Sequence, residues 1–235
     1  MNQPVIYAIG DIHGELDRLR DLHARIMFHH ERLYSDRSMT LIHLGDFVDR
    51  GPDSAGVLEL LIEMEARDDI NVINLRGNHE QMMIEAYGPD KSEARLHWLI
   101  NGGDETIGSY GRRGREHPPQ AHLDWAKNLD TIHMIEDQKL AFVHAGVEPR
   151  TFPDSGERVH MWTRSKRFFD PSTWRTTALD GWTVVHGHTP TRDFQPDAAG
   201  TPVRRYNLDT GAVYGGKLTA GVFAGPDEPV HYLFS

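Results

Sequence analysis

Three times within residues 5–86 an apolar run enters a glycine-flanked turn bearing an acid, a histidine or an asparagine, and then an amphipathic stretch. Val5–Ile9 leads to Asp11 and His13, with Leu16, Leu19, Leu22 and Ile26 following at helical spacing. Residues 39–44 lead to Asp46 and Asp49. Pro52 then suits a helix start, and Val57, Leu58, Leu61 and Ile62 form an apolar stripe. Residues 71–75 lead to Asn78 and His79, followed by Met82, Met83 and Ala86. Strands alternating with helices predict an α/β sheet of parallel strands joined by crossovers. In such sheets the turns at the strands' C-terminal ends gather into one crevice, where ligands bind.

Two later segments end the same way, with His144 after residues 139–143 and His188 after residues 183–186. Together the five turns bring two carboxylates, three imidazoles and one amide: Asp11, Asp46, His13, His144, His188 and Asn78. The chain has no cysteine, so thiolate sites and disulfides are excluded. Mixed oxygen and imidazole donors suit Mn, Fe or Zn better than Mg or Ca. A carboxylate can bind through both oxygens and so bridge two metals about 3.5–4 Å apart. Two divalent ions on two carboxylates leave positive charge over, which suits a phosphate ester and its hydrolysis.

Residues 88–131 change character. They are polar and helical, with Trp98, Trp125 and a Gly102-Gly103 pair, and read as a helical insertion or lid over the crevice mouth. Beyond them, residues 139–143, 183–186, 203–208, 217–224 and 230–234 read as short strands. Their close spacing predicts hairpins or a meander, a second sheet with antiparallel character. No low-complexity linker divides the 235 residues, and one domain is expected. A net charge of −10 argues against nucleic-acid binding. The basic cluster Arg112-Arg113-Gly114-Arg115 reads as a solvated loop. No apolar run approaches the roughly 20 residues that cross a bilayer. Met1-Asn2-Gln3-Pro4 enters a strand without a basic leader, so the expected location is cytoplasmic.

The five segments Gly10-Asp11-Ile12-His13-Gly14, Gly45-Asp46-Phe47-Val48-Asp49-Arg50-Gly51, Arg76-Gly77-Asn78-His79-Glu80, Val143-His144-Ala145-Gly146 and His186-Gly187-His188-Thr189-Pro190 resemble those of the calcineurin-like metallophosphoesterases. Within that superfamily the resemblance is to the serine/threonine protein phosphatases of the PPP type. Residues 207–219 resemble the bacterial and phage, lambda phosphatase-like, kind.

The resemblance implies a four-layer α/β/β/α sandwich with two mixed sheets and two divalent cations, manganese foremost, with iron or zinc as alternatives. Asp11 and His13 would hold the first ion, Asp46 would bridge, and Asn78, His144 and His188 would complete the second. A metal-bridging hydroxide would attack phosphorus directly. His79, paired with Asp49, would protonate the leaving oxygen, and Arg50, Arg76 and Arg164 would hold the phosphate. Glu80 would brace the helix after His79, and His186 would pack or support.

The implied activity is that of a phosphoserine/phosphothreonine phosphatase acting on phosphoproteins or phosphopeptides, with no obligatory partner evident. Dinucleoside tetraphosphate hydrolases share these segments and are the alternative. Such a substrate would want an aromatic platform for a base, and Trp98, Tyr110, Trp162 and Trp174 are the candidates. A catalytically silent phospho-binding scaffold would be expected to lack a ligand or the acid, and this chain lacks neither.

Overall fold

A computed structural model describes residues 3–89, 91–225 and 230–235. The three strand–helix repeats fold as their periodicity predicts. β1 (Val5–Ile9), β2 (Met39–His43) and β3 (Asn71–Asn74) pair in parallel, with Val5 opposite Met39 and Ile9 opposite His43. Between them run α1 (Leu16–Tyr34) and α2 (Ser54–Glu65), and α3 (Asn78–Ala86) follows β3. Asp53 rather than Pro52 sets the start of α2, its carboxylate accepting from Gly56 N.

Alternation along the strands builds the layers. Val5, Tyr7 and Ile9 face Leu19, Leu22 and Ile26 of α1 and Val57, Leu58 and Leu61 of α2. Ile6, Ala8 and Ile42 face the other way, onto Leu140, Phe142, Val185 and Leu208 of a second sheet. The far side of that sheet presents Ala141, Val143 and Val184 to Phe168, Trp174, Leu179 and Trp182. Three cores therefore separate four layers, the expected α/β/β/α sandwich.

The second sheet runs in the order β4 (Ile132–Ile135), β5 (Leu140–Val143), β6 (Thr183–His186), β8 (Arg205–Asn207), β7 (Asp197–Ala199). It corrects the expected meander. β5, β6 and β8 are parallel, and only the edge strands β4 and β7 are antiparallel. The crossover from β5 to β6 holds two α-helices, α7 (Glu157–Trp162) and α8 (Lys166–Phe169), and a 3₁₀ turn (Pro171–Thr173), each too short for a helical period to register in sequence. The last two strands also change sheet. β9 (Thr219–Phe223) lies antiparallel to β1, with Ile6 opposite Phe223, and β10 (His231–Phe234) extends that first sheet as its edge. Every residue of β9 is buried, with Ala220 and Val222 in one core and Phe223 in the next. A strand apolar on both sides must lie inside a sheet covered on both faces.

The segment expected as a helical insertion forms α4 (Lys91–Trp98), a π-helical turn (Leu99–Gly103), α5 (Asp104–Gly111) and α6 (Gln120–Asn128). α4 and α6 pack on α3, and α5 packs on α2. The turn touches the loop after β2, where Arg50 N donates to Gly102 O at 3.1 Å. Among the described residues no helix is long and apolar enough to cross a membrane.

One buried pair in this layer sets an acid limit on stability. His23 of α1 and His43 of β2 meet Nε2 to Nε2 at 2.9 Å. Burial pushes His23 down to about 4 and holds His43 well below the ordinary value, the His23 ring adding to the effect. Unfolded rings take up a proton below about pH 6.5 that the folded rings refuse. Stability is therefore full above that pH and falls as pH drops toward 4, by about 1.4 kcal/mol per pH unit for each ring. In thermal melts between pH 7 and 5, the paired substitution His23→Gln/His43→Gln is expected to flatten the fall in Tm.

Candidate metal centre

Asp46 sits where the chain leaves β2, and its carboxylate faces two sets of donors at once. Oδ2 lies 3.6 Å from His13 Nε2 and 3.9 Å from His79 Nε2. Oδ1 lies 3.2 Å from His144 Nε2 and accepts from His79 N at 3.0 Å. Two groups of buried side chains able to hold a metal result, His13/Asp46/His79 and Asp46/His144/His188, the donor atoms of each lying within 4.8 Å of one another. Asp46 is the one side chain common to both. Burial works against its charge, yet His144, His79 and His13 hold its carboxyl well below the usual range.

Backbone carbonyls set the imidazole tautomers. His144 Nδ1 donates to Leu44 O at 3.0 Å, and His13 Nδ1 donates to Val48 O at 2.9 Å. Each ring then turns its Nε2 inward, as a metal ligand must. Around His144 Nε2 stand Asn78 Oδ1 at 3.0 Å, Asp46 Oδ1 at 3.2 Å and His188 Nδ1 at 3.2 Å. Of these, His144 Nε2, Asn78 Oδ1 and Asp46 Oδ1 are acceptors pointed at one another, an arrangement that needs positive charge among them. Against the effect of burial, Asp46 and Asp11 push the His144 ring up to about 9, so the ring itself can carry that charge. A divalent cation would bring the same charge with better geometry. At the other group the Arg50 guanidinium is the stand-in, with Nη1 2.6 Å from His13 Nε2. The residues present thus fit a pair of cations sharing Asp46, with Asn78, His144 and His188 at one position and His13 at the other.

Asp11 is brought close but turned. Both of its oxygens accept from His188 N, at 3.0 and 3.1 Å, and it belongs to neither tight group. Burial, and then the charge of Asp209, push its carboxyl well above the usual range. Asp209 is itself 3% exposed, and among the described residues its Oδ2 has no hydrogen-bond partner. Sequence reading passed over Asp209, although the Leu208-Asp209-Thr210-Gly211 turn after a strand carried the same signal as the five segments.

Two glycines make the close approaches possible. A Cβ on Gly77 would run into Asp46 Oδ1, and one on Gly187 would run into Asp11 Oδ1. His13, Asp46, Asp49, Arg50 and His188 themselves take left-handed backbone, with φ of 44°, 53°, 75°, 69° and 69°.

Glu80 does more than brace a helix. Oε2 accepts from Gly77 N and Asp46 N, both at 2.9 Å, and Oε1 accepts from Phe47 N at 2.7 Å and Val48 N at 3.2 Å. It therefore ties the start of α3 to the loop that aims Asp46. Glu80→Gln would turn an amide donor onto two of those N–H groups. We expect a loss of about 3 kcal/mol in denaturant unfolding and weaker metal retention in equilibrium dialysis.

His79 Nδ1 meets Asp49 Oδ2 at 2.7 Å, the pair wholly buried. Burial pushes Asp49 up to about 8 and His79 down to about 4. His79 lines a pocket of about 270 Å³ together with Asp46, Asn78, His188, Arg50, Asn101, Trp162 and Arg164. Arg164 Nε donates to His188 Nε2 at 3.2 Å. Arg50 and Arg164 thus line the same pocket as His79. The structure does not bring Arg76 there. Its backbone N donates to Asp130 O, and its guanidinium runs to Glu157 Oε2 at 2.7 Å and Lys127 O at 3.1 Å. It closes the C-terminal end of α6, a common post for a cation. His186 packs between Phe168 and Phe169, its Nε2 accepting from Arg205.

A family model described as calcineurin-like phosphoesterase matches residues 4–216. Serine/threonine-protein phosphatase 1 of Salmonella typhimurium is 31% identical over 229 residues, covering 91% of this chain and 89% of that protein. The asymmetrical bis(5'-nucleosyl)-tetraphosphatase PrpE of Halalkalibacterium halodurans is 26% identical over 226 residues, covering 90% and 87%. In fold, the cold-active protein-tyrosine phosphatase of a psychrophilic Shewanella superposes with a TM-score of 0.64 at 18% identity, covering 99% of this chain and 81% of that one.

Proposed function

The chain belongs to the calcineurin-like phosphoesterase family, and from that premise we propose that it is a phosphoprotein phosphatase removing phosphate from serine or threonine. Two divalent cations, when bound, would activate water for attack on phosphorus and take up negative charge from the phosphoryl oxygens. Asp11, His13, Asp46, Asn78, His144 and His188 would hold them, Asp46 between both.

The chain's own groups supply the rest. Arg50 and Arg164 line the mouth and can each turn a planar guanidinium from an imidazole to two phosphate oxygens. Arg76 would reach that phosphate only by leaving Glu157 and Lys127, so the clamp we assign is Arg50 with Arg164. His79, its Nδ1 held by Asp49, presents Nε2 to the pocket; protonated at both nitrogens, the ring would give its Nε2 proton to the leaving alkoxide and return to the neutral form, an effect worth about 10²–10⁴ in rate. The helical segment of residues 91–128 would form one rim of the mouth through Asn101.

One observation favours a protein substrate over a dinucleotide. Three of the four aromatic side chains expected as base platforms are enclosed: Trp98 and Tyr110 at 0% exposure, and Trp174 at 7% and stacked on Phe168. Trp162 alone of the four lines the pocket, at 37% exposure. That one exposed ring, with the PrpE relatives, keeps dinucleoside tetraphosphate hydrolysis as the second reading. The test is turnover of the manganese-reconstituted protein on a phosphothreonine peptide beside diadenosine tetraphosphate. A kcat/KM at least about tenfold higher for the peptide, some 1.4 kcal/mol, is the expected result. The reverse order would transfer the function to nucleotide cleavage.

A further inference from the structure

The helices between β3 and β4 meet the reaction machinery at a buried point that lies outside the pocket. The Asp49 carboxylate, at 0% exposure, is gripped from three sides. His79 Nδ1 lies on Oδ2 at 2.7 Å. Trp98 Nε1, at the end of α4, donates across both oxygens at 2.9 and 3.0 Å. Thr106 Oγ1, in α5, donates to Oδ1 at 2.7 Å. The backbone is held as well, with Asp49 N 2.9 Å from Thr106 Oγ1 and 3.0 Å from Ser54 Oγ. The indole itself is wedged in place. A Cβ on Gly103 would run into its ring, and Tyr87 meets it edge-on at 5.7 Å.

A carboxylate bonded only to His79 could swing about its own axis and carry the imidazole with it. A donor straddling both oxygens removes that freedom, and a second donor on Oδ1 leaves Oδ2 as the partner for the ring. The acceptor then fixes which nitrogen of His79 is tied and which faces the pocket. We propose that Trp98, with Thr106, is a positioning residue for the proton donor, so that the helical segment decides how well the site expels poor leaving groups. This rests on the reading of His79 as the group that protonates the leaving oxygen.

The leaving group supplies the test. An alkoxide departing from phosphoserine needs a proton, whereas 4-nitrophenolate hardly does. Trp98→Phe keeps most of the ring and removes the N–H; Thr106→Val keeps the shape and removes the hydroxyl. In the metal-loaded protein each is expected to lower kcat on a phosphoserine peptide by about 10- to 100-fold. On 4-nitrophenyl phosphate the change should stay within about threefold, with metal content unaltered. Thr106→Ser, which keeps the donor, should stay near the parent on both substrates. Independently, the hydrogen-bonded Nδ1 proton of His79 should give a downfield NMR resonance that shifts or broadens away in Trp98→Phe. Equal losses on both substrates, or no loss on either, while His79→Asn shows the selective loss, would overturn the positioning role. If His79→Asn shows no such selectivity, the proton-donor premise fails and the inference goes with it.

Discussion

Asp46→Asn is expected to release both cations and to lower turnover by at least about three orders of magnitude. The reason is the double duty of one carboxylate, with Oδ1 turned to His144 and Oδ2 to His13. Asparagine offers one oxygen and places an amide N–H₂ where the other stood. It also removes the charge that raises the His144 ring. Elemental analysis after gel filtration reads the outcome directly. The expected content falls from two ions per chain to none. Retention of one ion would show that Asp46 serves a single position, and full retention would end the bridging assignment.

His79→Asn should separate metal from chemistry. Among the described residues the ring's Nδ1 is bound to Asp49, and its Nε2 lies 3.9 Å from Asp46, farther than His13 or His144. Metal content should stay at two, and the melting profile should move little. On a phosphoserine peptide kcat should fall by about 10²–10⁴. Because the loss is of a group used in the transition state, kcat and kcat/KM should fall together. A rate within threefold of the parent would exclude His79 from proton transfer. A parallel loss of metal would instead make it a ligand, as its place in the first donor group allows.

The parts of this molecule that read plainly from sequence are those whose signal is local. Leu19, Leu22 and Ile26 at helical spacing, or Val5 to Ile9 as an unbroken apolar run, carry their structure within a few residues. So do the glycine-bracketed turns, and His13, Asp46, Asn78, His144 and His188 are brought together as those turns implied. What failed depends on partners distant in sequence. Nothing in residues 217–224 says that β9 pairs with β1 rather than with its neighbours, because sheet membership is settled by which core has room. Arg76 carries the same motif credentials as Arg50. Only the carbonyl of Lys127 and the carboxylate of Glu157, some fifty and eighty residues on, draw it away. Trp98 shows the same limit in reverse. As a sequence letter it suggests a base platform, and in the fold it is the most enclosed of the candidates along with Tyr110.

The left-handed backbone at His13, Asp46, Asp49, Arg50 and His188 has a consequence for how this protein could change. Each such non-glycine residue costs the fold on the order of 1–2 kcal/mol. Relief is available at every one of these positions by the same exchange, to glycine, or more weakly to asparagine. At Asp46 and Asp49 that relief is outweighed, because the exchange would strand buried donors such as His79 N, Trp98 Nε1 and Thr106 Oγ1; at the half-buried Arg50 a selection for heat resistance alone, blind to turnover, would accept the change and produce a sturdier chain with a poorer site. Arg50 is thus a position of the site where natural sequence and thermal optimum disagree. A library scored on both properties should show the two rankings crossing there, and running together in the three apolar cores.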